Sequence, residues 1–425
     1  MPYNYLQNLN INKIKLGLER IKKVLDLLGN IQDKLNVIHI AGTNGKGTTA
    51  FFINNILIKS GFKTGLYTSP HLDSIYERIQ INNINIPAER FEDYILFFQI
   101  FLERENIDLS YFEFLTLLAL KYFYDEKLDF VIFECGLGGR LDATNVFTNP
   151  LVSILTNVSF DHMDYLGDSL LDILEEKICV FRKNVPVVTG IRDRELLNRI
   201  DEKAKKLGTP VYKIDESFEI FRKTDNKLNY RDEVGSIKDI ELCMNGVHQQ
   251  DNLSLAIKAI RILEKREDFC ENIKEVAKTQ YLKGRLELVK ACDNKLNIDT
   301  LFDVAHNLAG IKTFAEYICN IRDRYEKIVV VFAMLKDKDY KSCIQEIMDI
   351  FDCFYITQTK ANRSLPMRDV MQEFSRHGRL KKVKLYSCQS DVILEDIKSN
   401  FSDKDLVCMV GSFFLISEMR NLILG

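Results

Sequence analysis

Apolar residues along this chain follow two periods, and the two alternate. Ile14, Leu18, Ile21, Leu25 and Leu28 recur at helical spacing, with Gly29 where a helix-ending glycine belongs. An unbroken apolar run, Val37-Ile38-His39-Ile40-Ala41, then predicts a buried strand. A Gly-rich turn leads from it into a predicted helix over residues 48–59, closed by Gly61, and a second strand over 62–67. Ser110-Tyr111-Phe112-Glu113 has the spacing of a capping box ahead of a helix over 114–124. Residues 129–134, 151–156 and 185–189 read as three more buried strands. Such alternation predicts a doubly wound α/β protein.

Between Val211 and Cys243 charged residues alternate with Ile, Phe, Leu and Tyr, which predicts a small antiparallel excursion. Helical spacing returns over 252–263. Beyond Gly284-Arg285-Leu286 a second α/β series begins, with strands expected at 301–304, 328–332, 354–357, 383–386 and 406–410. The expected domains are therefore 1–284 and 285–425.

Composition narrows the function classes. The chain has 425 residues, 46% hydrophobic and 28% charged, enough for a large core without staples. Its net charge is −3, so no bulk positive field favours nucleic acid or an anionic membrane surface. The ten cysteines form no C-x-x-C pair and no metal-ligand spacing, as expected of reduced thiols. Residues 1–15 are polar, without the apolar core of a signal peptide, and no apolar run reaches the ~20 residues of a membrane-spanning helix. A cytoplasmic protein is expected.

The most informative turn is Gly42-Thr43-Asn44-Gly45-Lys46-Gly47-Thr48-Thr49, between a predicted strand and a predicted helix. Glycines there let successive backbone N–H groups face phosphate oxygens, and the helix N-terminus adds its dipole. Lys46 supplies a charge for the β- and γ-phosphates, and the hydroxyl of Thr48 can reach Mg²⁺. A GTPase switch should also carry N-K-x-D for guanine. Asn226-Lys227-Leu228-Asn229 and Asn294-Lys295-Leu296-Asn297 approach that pattern, but neither ends in Asp.

Thr43-Asn44-Gly45-Lys46-Gly47 resembles the P-loop of the Mur ligase superfamily, and the glycine after the lysine resembles its folylpolyglutamate synthase/dihydrofolate synthase branch. Further matches follow in order: Ser69-Pro70-His71-Leu72 with Glu77-Arg78-Ile79, the run from Glu134 through Gly138-Gly139-Arg140 and Asp142 to Asn145, and Asp161-His162. After them come Leu166-Gly167, Glu176-Lys177, His248-Gln249 with Asn252, Gly284-Arg285-Leu286-Glu287, and Asp303 with His306-Asn307. Because the P-loop starts at residue 42, no room is expected for the extra N-terminal domain of muropeptide ligases. Thr48 stands where serine is more usual and Cys135 where a small residue or threonine is common; neither removes a chemical group.

The resemblance implies a P-loop ATPase domain followed by a Rossmann-like C-terminal domain, with catalysis in the cleft between them. It implies an amide ligase that joins L-glutamate to a folate or dihydropteroate through an acyl phosphate, using ATP and two Mg²⁺. Glu134, which ends an apolar strand where an unpaired carboxylate is costly, then becomes a metal ligand together with Ser69, Thr48 and His162. Lys177 matches a lysine that is N-carbamylated in the family. Thr43, Asn44, Gly45, Lys46, Gly47, Thr48 and Thr49 would bind ATP phosphates, while Asn252, Arg285 and Asp303 would contact its adenine, phosphate and ribose. Lys46, Lys177, Arg285 and His306 are the expected catalytic residues, with Arg140 and Asp142 ordering the loop beside Glu134. No nucleic acid or membrane partner is expected, and the expected state is a monomer. The other readings are a Mur-type ligase for a different acid and a P-loop nucleotide switch.

Overall fold

The computed structural model describes residues 5–6, 9, 15–223, 227–264, 269–359, 361, 363–379, 383–386 and 390–425; Ile14 and Asn226 lie outside them. The chain forms two compact units. One comprises Met1–Ser159, Leu166–Cys243 and Gln249–Gln280; the other comprises Phe160–Tyr165, Met244–His248 and Tyr281–Gly425.

The first unit is built on an eight-stranded sheet in the order β4-β3-β2-β5-β1-β6-β7-β8. Its strands are β1 (Val37–Ala41), β2 (Thr64–Tyr67), β3 (Ile79–Ile81), β4 (Ile84–Asn85), β5 (Phe130–Glu134), β6 (Val152–Leu155), β7 (Val187–Thr189) and β8 (Val211–Lys213). From β2 through β8 the pairings are parallel. Every residue of β1, β5 and β6 is buried, as a parallel sheet covered on both faces requires. Central β1 lies between β5 and β6, so the chain segments leaving these three strands are neighbours.

Two departures from the sequence reading have local causes. The predicted second helix begins earlier, at Lys46, because Gly45 at φ +82° serves as its N-cap. The hairpin of β3 and β4 was not foreseen, since its strands are only three and two residues long. Its signal was the turn pair Asn82-Asn83, both at positive φ, a conformation asparagine tolerates well. The predicted capping box is present, with Ser110 and Glu113 bonding reciprocally ahead of the helix Tyr111–Asp125.

The segment after Val211 also divides. Its first three residues extend the parallel sheet as β8, and only β9 (Phe218–Arg222), β10 (Leu228–Asp232) and β11 (Gly235–Ile240) form the antiparallel sheet. A buried charge network fastens this small sheet to the helix His248–Leu263. Asp232 accepts from the Tyr230 hydroxyl at 2.9 Å and pairs with Arg261. Lys258, fully buried, lies 3.5 Å from Asp232 and 2.5 Å from Glu233, with its ammonium 4.4 Å from the Tyr212 ring centroid.

The second unit holds a six-stranded sheet in the order β12-β13-β17-β14-β15-β16. Its strands are β12 (Glu287–Val289), β13 (Asp299–Asp303), β14 (Ile328–Phe332), β15 (Cys353–Thr357), β16 (Val383–Tyr386) and β17 (Leu406–Val410). All pair in parallel except β12, a three-residue antiparallel edge missed in the sequence. The last strand, β17, inserts between β13 and β14, so the expected α/β domain is present with the parallel order β13-β17-β14-β15-β16. Among the described residues, no helix is long and apolar enough to cross a membrane.

The buried network around Asp232 yields a stability prediction. Asp232→Ala leaves Arg261 and the Tyr230 hydroxyl without their carboxylate, while Lys258 keeps Glu233, and removing one partner of a buried pair costs about 3–5 kcal/mol. Urea unfolding at pH 7 should show a loss of that order; a loss below about 1 kcal/mol would remove this network from the account of the fold.

Candidate active site

The P-loop connects β1 to the helix Lys46–Lys59. At Gly42, φ is +146° and a Cβ atom would sit 1.9 Å from Thr156 Oγ1. At Gly45, φ is +82° and a Cβ would sit 2.3 Å from Asn252 Oδ1. Both positions therefore demand glycine. The segment after β6 fastens the loop. Thr43 N donates to Asn157 O at 3.0 Å, Asn44 N donates to Asn157 Oδ1 at 3.0 Å, and Asn157 Nδ2 donates back to Asn44 O at 3.0 Å. Thr156 Oγ1 donates to the same carbonyl at 2.6 Å.

Two ammonium groups converge beneath this loop. Lys46 Nζ donates to Gly42 O at 3.1 Å and Thr43 O at 3.0 Å, and Lys177 Nζ donates to Gly42 O at 2.9 Å. Lys177 closes the helix Leu170–Lys177 and is almost fully buried. Glu134, at the end of β5 and also buried, accepts from Ser69 N at 3.1 Å, and a Cβ on Gly47 would lie 3.4 Å from its Oε2. The Ser69–Pro70 peptide is cis. Thr48 and Thr49 are buried in the first turn of the helix. Asn252 donates to Gln249 Oε1 at 2.9 Å. The first unit thus gathers Thr43 to Thr49, Lys177, Asn252 and the Ser69–Glu134 pair around the phosphate loop.

Glu134 and the hydroxyl residues Ser69 and Thr48 are oxygen donors of the kind Mg²⁺ prefers. Among the described residues, no group of three or more His, Cys, Asp or Glu side chains could hold a metal. Beside Glu134, Arg140 reaches Glu176 Oε1 at 2.9 Å, and Asp142 accepts from Leu137 N at 2.8 Å and Thr144 N at 2.9 Å.

His162, His306, Arg285 and Asp303 belong to the second unit. Asp161 organises the two histidines. Its carboxylate pairs with Lys338 Nζ at 2.5 Å, accepts from Asn307 Nδ2 at 2.9 Å, and lies 3.7 Å from His306 Nε2. Burial pushes its carboxyl up, but the Lys338 ammonium outweighs that and holds it well below the usual range. Lys338 Nζ is also 3.3 Å from His162 Nε2, and an ammonium only donates, so that ring nitrogen is the acceptor. His162 has φ +52°, a left-handed conformation uncommon for a residue other than glycine.

His306 Nδ1 faces Val304 O at 2.9 Å, so it carries the proton and leaves Nε2 bare. Burial, with Lys338 nearby, lowers its pKa to about 4. Asp303 accepts from Leu286 N at 2.7 Å and Ala305 N at 2.8 Å, and burial pushes its carboxyl up to about 6 against these bonds and Arg285. The Arg285 guanidinium lies 5.3 Å from the Phe413 ring centroid. Lys338 was absent from the sequence reading. Its only local signal was the charged run Lys336-Asp337-Lys338-Asp339 soon after buried β14, since its partner Asp161 lies 177 residues away.

Comparison with known families decides the kinship. Residues 40–260 match the Mur ligase middle domain and residues 284–413 the Mur ligase glutamate ligase domain. The chain belongs to the Mur ligase family. Within that family it is similar to the dihydrofolate synthase/folylpolyglutamate synthase of Bacillus subtilis, 31% identical over 423 residues and covering 96% of this chain and 95% of the relative. The Escherichia coli protein of the same name is 31% identical, covering 99% of this chain and 94% of the relative. Among solved structures, E. coli FolC in complex with DHPP and ADP superposes with TM-score 0.86 at 28% identity, covering 99% of this chain and 96% of that one. The Yersinia pestis bifunctional folylpolyglutamate synthase/dihydrofolate synthase, complexed with AMPPNP and Mn ion, gives 0.85 at 28%, covering 99% and 96%. The fold described above is that of Mur ligases.

Lys338 offers a pH-resolved prediction. A carboxyl held low adds stability above its unfolded pKa of about 4, and that stability is lost as pH falls below it. Lys338→Met removes the main cation on Asp161, so unfolding free energy at pH 7 should fall by about 3 kcal/mol or more. The gap to wild type should narrow below pH ~4, as Asp161 becomes protonated in the variant. A gap of equal size at pH 7 and pH 3 would contradict this role of Lys338.

Proposed function

We propose that this chain is an ATP-dependent ligase that joins the amine of L-glutamate to a carboxylate of a folate or of dihydropteroate. The observation that carries the reading is the convergence of Lys46 and Lys177 on Gly42 O, beside the buried carboxylate of Glu134 and at the opening of the helix Lys46–Lys59. That arrangement suits a transferring phosphoryl group. Similarity over nearly the whole chain to relatives named for this activity supports the substrate class. The nucleotides, the metal ion and the DHPP named with the solved relatives support ATP, a divalent metal and a folate-type acid.

In the reaction the acid's carboxylate attacks the γ-phosphorus of ATP, giving an acyl phosphate and ADP. The glutamate amine then attacks the acyl carbon, and the tetrahedral adduct collapses to the amide with loss of phosphate and a proton. Residues 1–284 serve the ATP half of the chemistry and 285–425 the glutamate half. The P-loop amides from Thr43 to Thr49 and Lys46 hold the phosphates, and Asn252 and Asp303 contact adenosine. Arg285 acts as a transition-state cation and His306 as support near phosphate or glutamate. Ser69, Thr48, Glu134, His162 and a carbamylated Lys177 would hold two Mg²⁺, which would supply positive charge to the phosphoryl group.

Carbamylation of Lys177 has a local rationale. Two ammonium groups within 3.1 Å of one carbonyl oxygen repel each other at low dielectric. Addition of the neutral Lys177 amine to CO₂, with release of a proton, exchanges one of these cations for an oxygen anion that balances Lys46.

The reading is tested by ATP-dependent phosphate release with Mg²⁺ and L-glutamate, offering dihydropteroate and tetrahydrofolate separately. Glutamate-dependent release is expected with at least one acid and identifies the step served. Tight ATP binding without release on either acid overturns the folate assignment and favours a Mur-type ligase for another acid. Slow release indifferent to glutamate favours a nucleotide switch. A second test addresses the carbamate: Lys177→Ala should lower kcat at least ~100-fold and recover partly with added short carboxylates. An active Lys177→Ala enzyme that short carboxylates leave unchanged removes the carbamate from the mechanism.

A further inference from the structure

The residue before Ile40 in the strand leading to the P-loop is a histidine with no place in the mechanism above. His39 is fully buried on β1, opposite Phe133 of β5. Its Nε2 lies 2.9 Å from Thr144 Oγ1 and 3.1 Å from Cys135 Sγ. Thr144 Oγ1 in turn lies 2.6 Å from Asp142 Oδ1, which also accepts from Thr144 N at 2.9 Å, while Leu137 N donates to Asp142 Oδ2 at 2.8 Å. Nδ1 of His39 is buried without a hydrogen-bond partner among the described residues, and the ring meets Phe147 edge-on at 5.2 Å.

These contacts fix where the protons are. Thr144 has one hydroxyl proton, and the carboxylate oxygen at 2.6 Å is its strongest acceptor. The hydroxyl oxygen is then left to accept, and His39 Nε2 at 2.9 Å is nearer to it and a stronger donor than the Cys135 thiol at 3.3 Å. The reverse direction would put a proton on Nδ1, which finds no acceptor among the described residues. A buried N–H left unpaired is among the rarest defects in native proteins, whereas a bare acceptor is better tolerated. The chain therefore runs one way, from His39 Nε2–H to Thr144 Oγ–H to Asp142. An imidazolium is excluded for the same reason.

We propose that His39 is a positioning residue: a neutral imidazole, held as its Nε2–H tautomer, that acts through Thr144 and Asp142 to set the course of residues 135–145 and so the aim of Glu134. The device ties the strand that opens into the phosphate loop to the one that ends in the carboxylate beside it. Cys135, next to Glu134, packs on the same imidazole nitrogen and closes the link on the β5 side. The catalytic consequence rests on the reading of Glu134 as a metal ligand, whereas the tautomer does not.

The test uses the full-length chain. With ¹⁵N-labelled histidine, one of the six imidazoles should show a protonated Nε2 and a bare Nδ1, unchanged from pH 8 to pH 5, and should vanish in His39→Gln. In the ADP complex, His39→Leu should weaken Mn²⁺ binding, followed by electron paramagnetic resonance, by ~10-fold or more, as loss of a group supporting a metal ligand does. Its kcat should fall while KM for ATP changes less than ~2-fold, and His39→Gln, which keeps an N–H donor, should regain most of both. Thr144→Val should mimic His39→Leu, and the double variant should be no worse than either alone. A protonated Nδ1 at pH 7, unchanged Mn²⁺ affinity in folded His39→Leu or Thr144→Val, equal damage from Gln and Leu, or additive effects would each overturn the proposal. A wild-type chain with the expected imidazole signal but no ligation removes the proposed function and leaves the hydrogen-bond chain intact.

Discussion

A missing Cβ at Gly42 is the constraint on which the candidate site hangs. The Thr156 hydroxyl occupies the space a side chain would need, so β1 and the segment after β6 can approach only if residue 42 is bare. That approach places Thr156 and Asn157 on the Asn44 carbonyl and amide, which holds the loop open as an anion cradle. It also leaves the Gly42 carbonyl aimed at two lysines from different helices. Asn252 repeats the device at Gly45, from a helix some two hundred residues further along.

Charge is buried in both units, and each unit surrounds it with specific partners. Around Asp232 the function is architectural: one carboxylate satisfies a tyrosine, a lysine and an arginine, and so registers a small sheet against a helix. Around Asp161 the partners are an ammonium, an amide and a nearby imidazole, and a second imidazole takes a bond from the same ammonium. The second arrangement differs in its partners: His306 Nδ1 faces Val304 O, burial lowers the ring's pKa to about 4, and Nε2 lies 3.7 Å from Asp161.

Beneath the phosphate loop, structural and reactive roles overlap. Lys177 is as buried as a core residue, and its Nζ shares the Gly42 carbonyl with Lys46. Glu134 ends a strand of five buried residues, which places its carboxylate at the sheet margin by the geometry of the strand alone. His39 on β1 meets Thr144 and Cys135, the latter next to Glu134.

Much of this was legible in the residues themselves. Runs such as 37–41, 130–134 and 328–332 are apolar on both faces, which only a covered parallel sheet accommodates, so the α/β class follows from local pattern. Gly42 and Gly45 announce a phosphate loop, because the turn they permit is closed to other residues. Short edges such as β4 and β12 escaped, since two or three residues carry no period to detect. Tertiary structure alone decided that Lys177 is buried rather than a solvated helix residue, that Lys338 sits on Asp161, and that His39 meets Thr144. These pairs are separated by 105 to 177 residues. Sequence by itself determined which backbone conformations and periods were available, because those depend on near neighbours. Which charges and ring nitrogens would share a proton depended on distances that exist only once the sheets have formed.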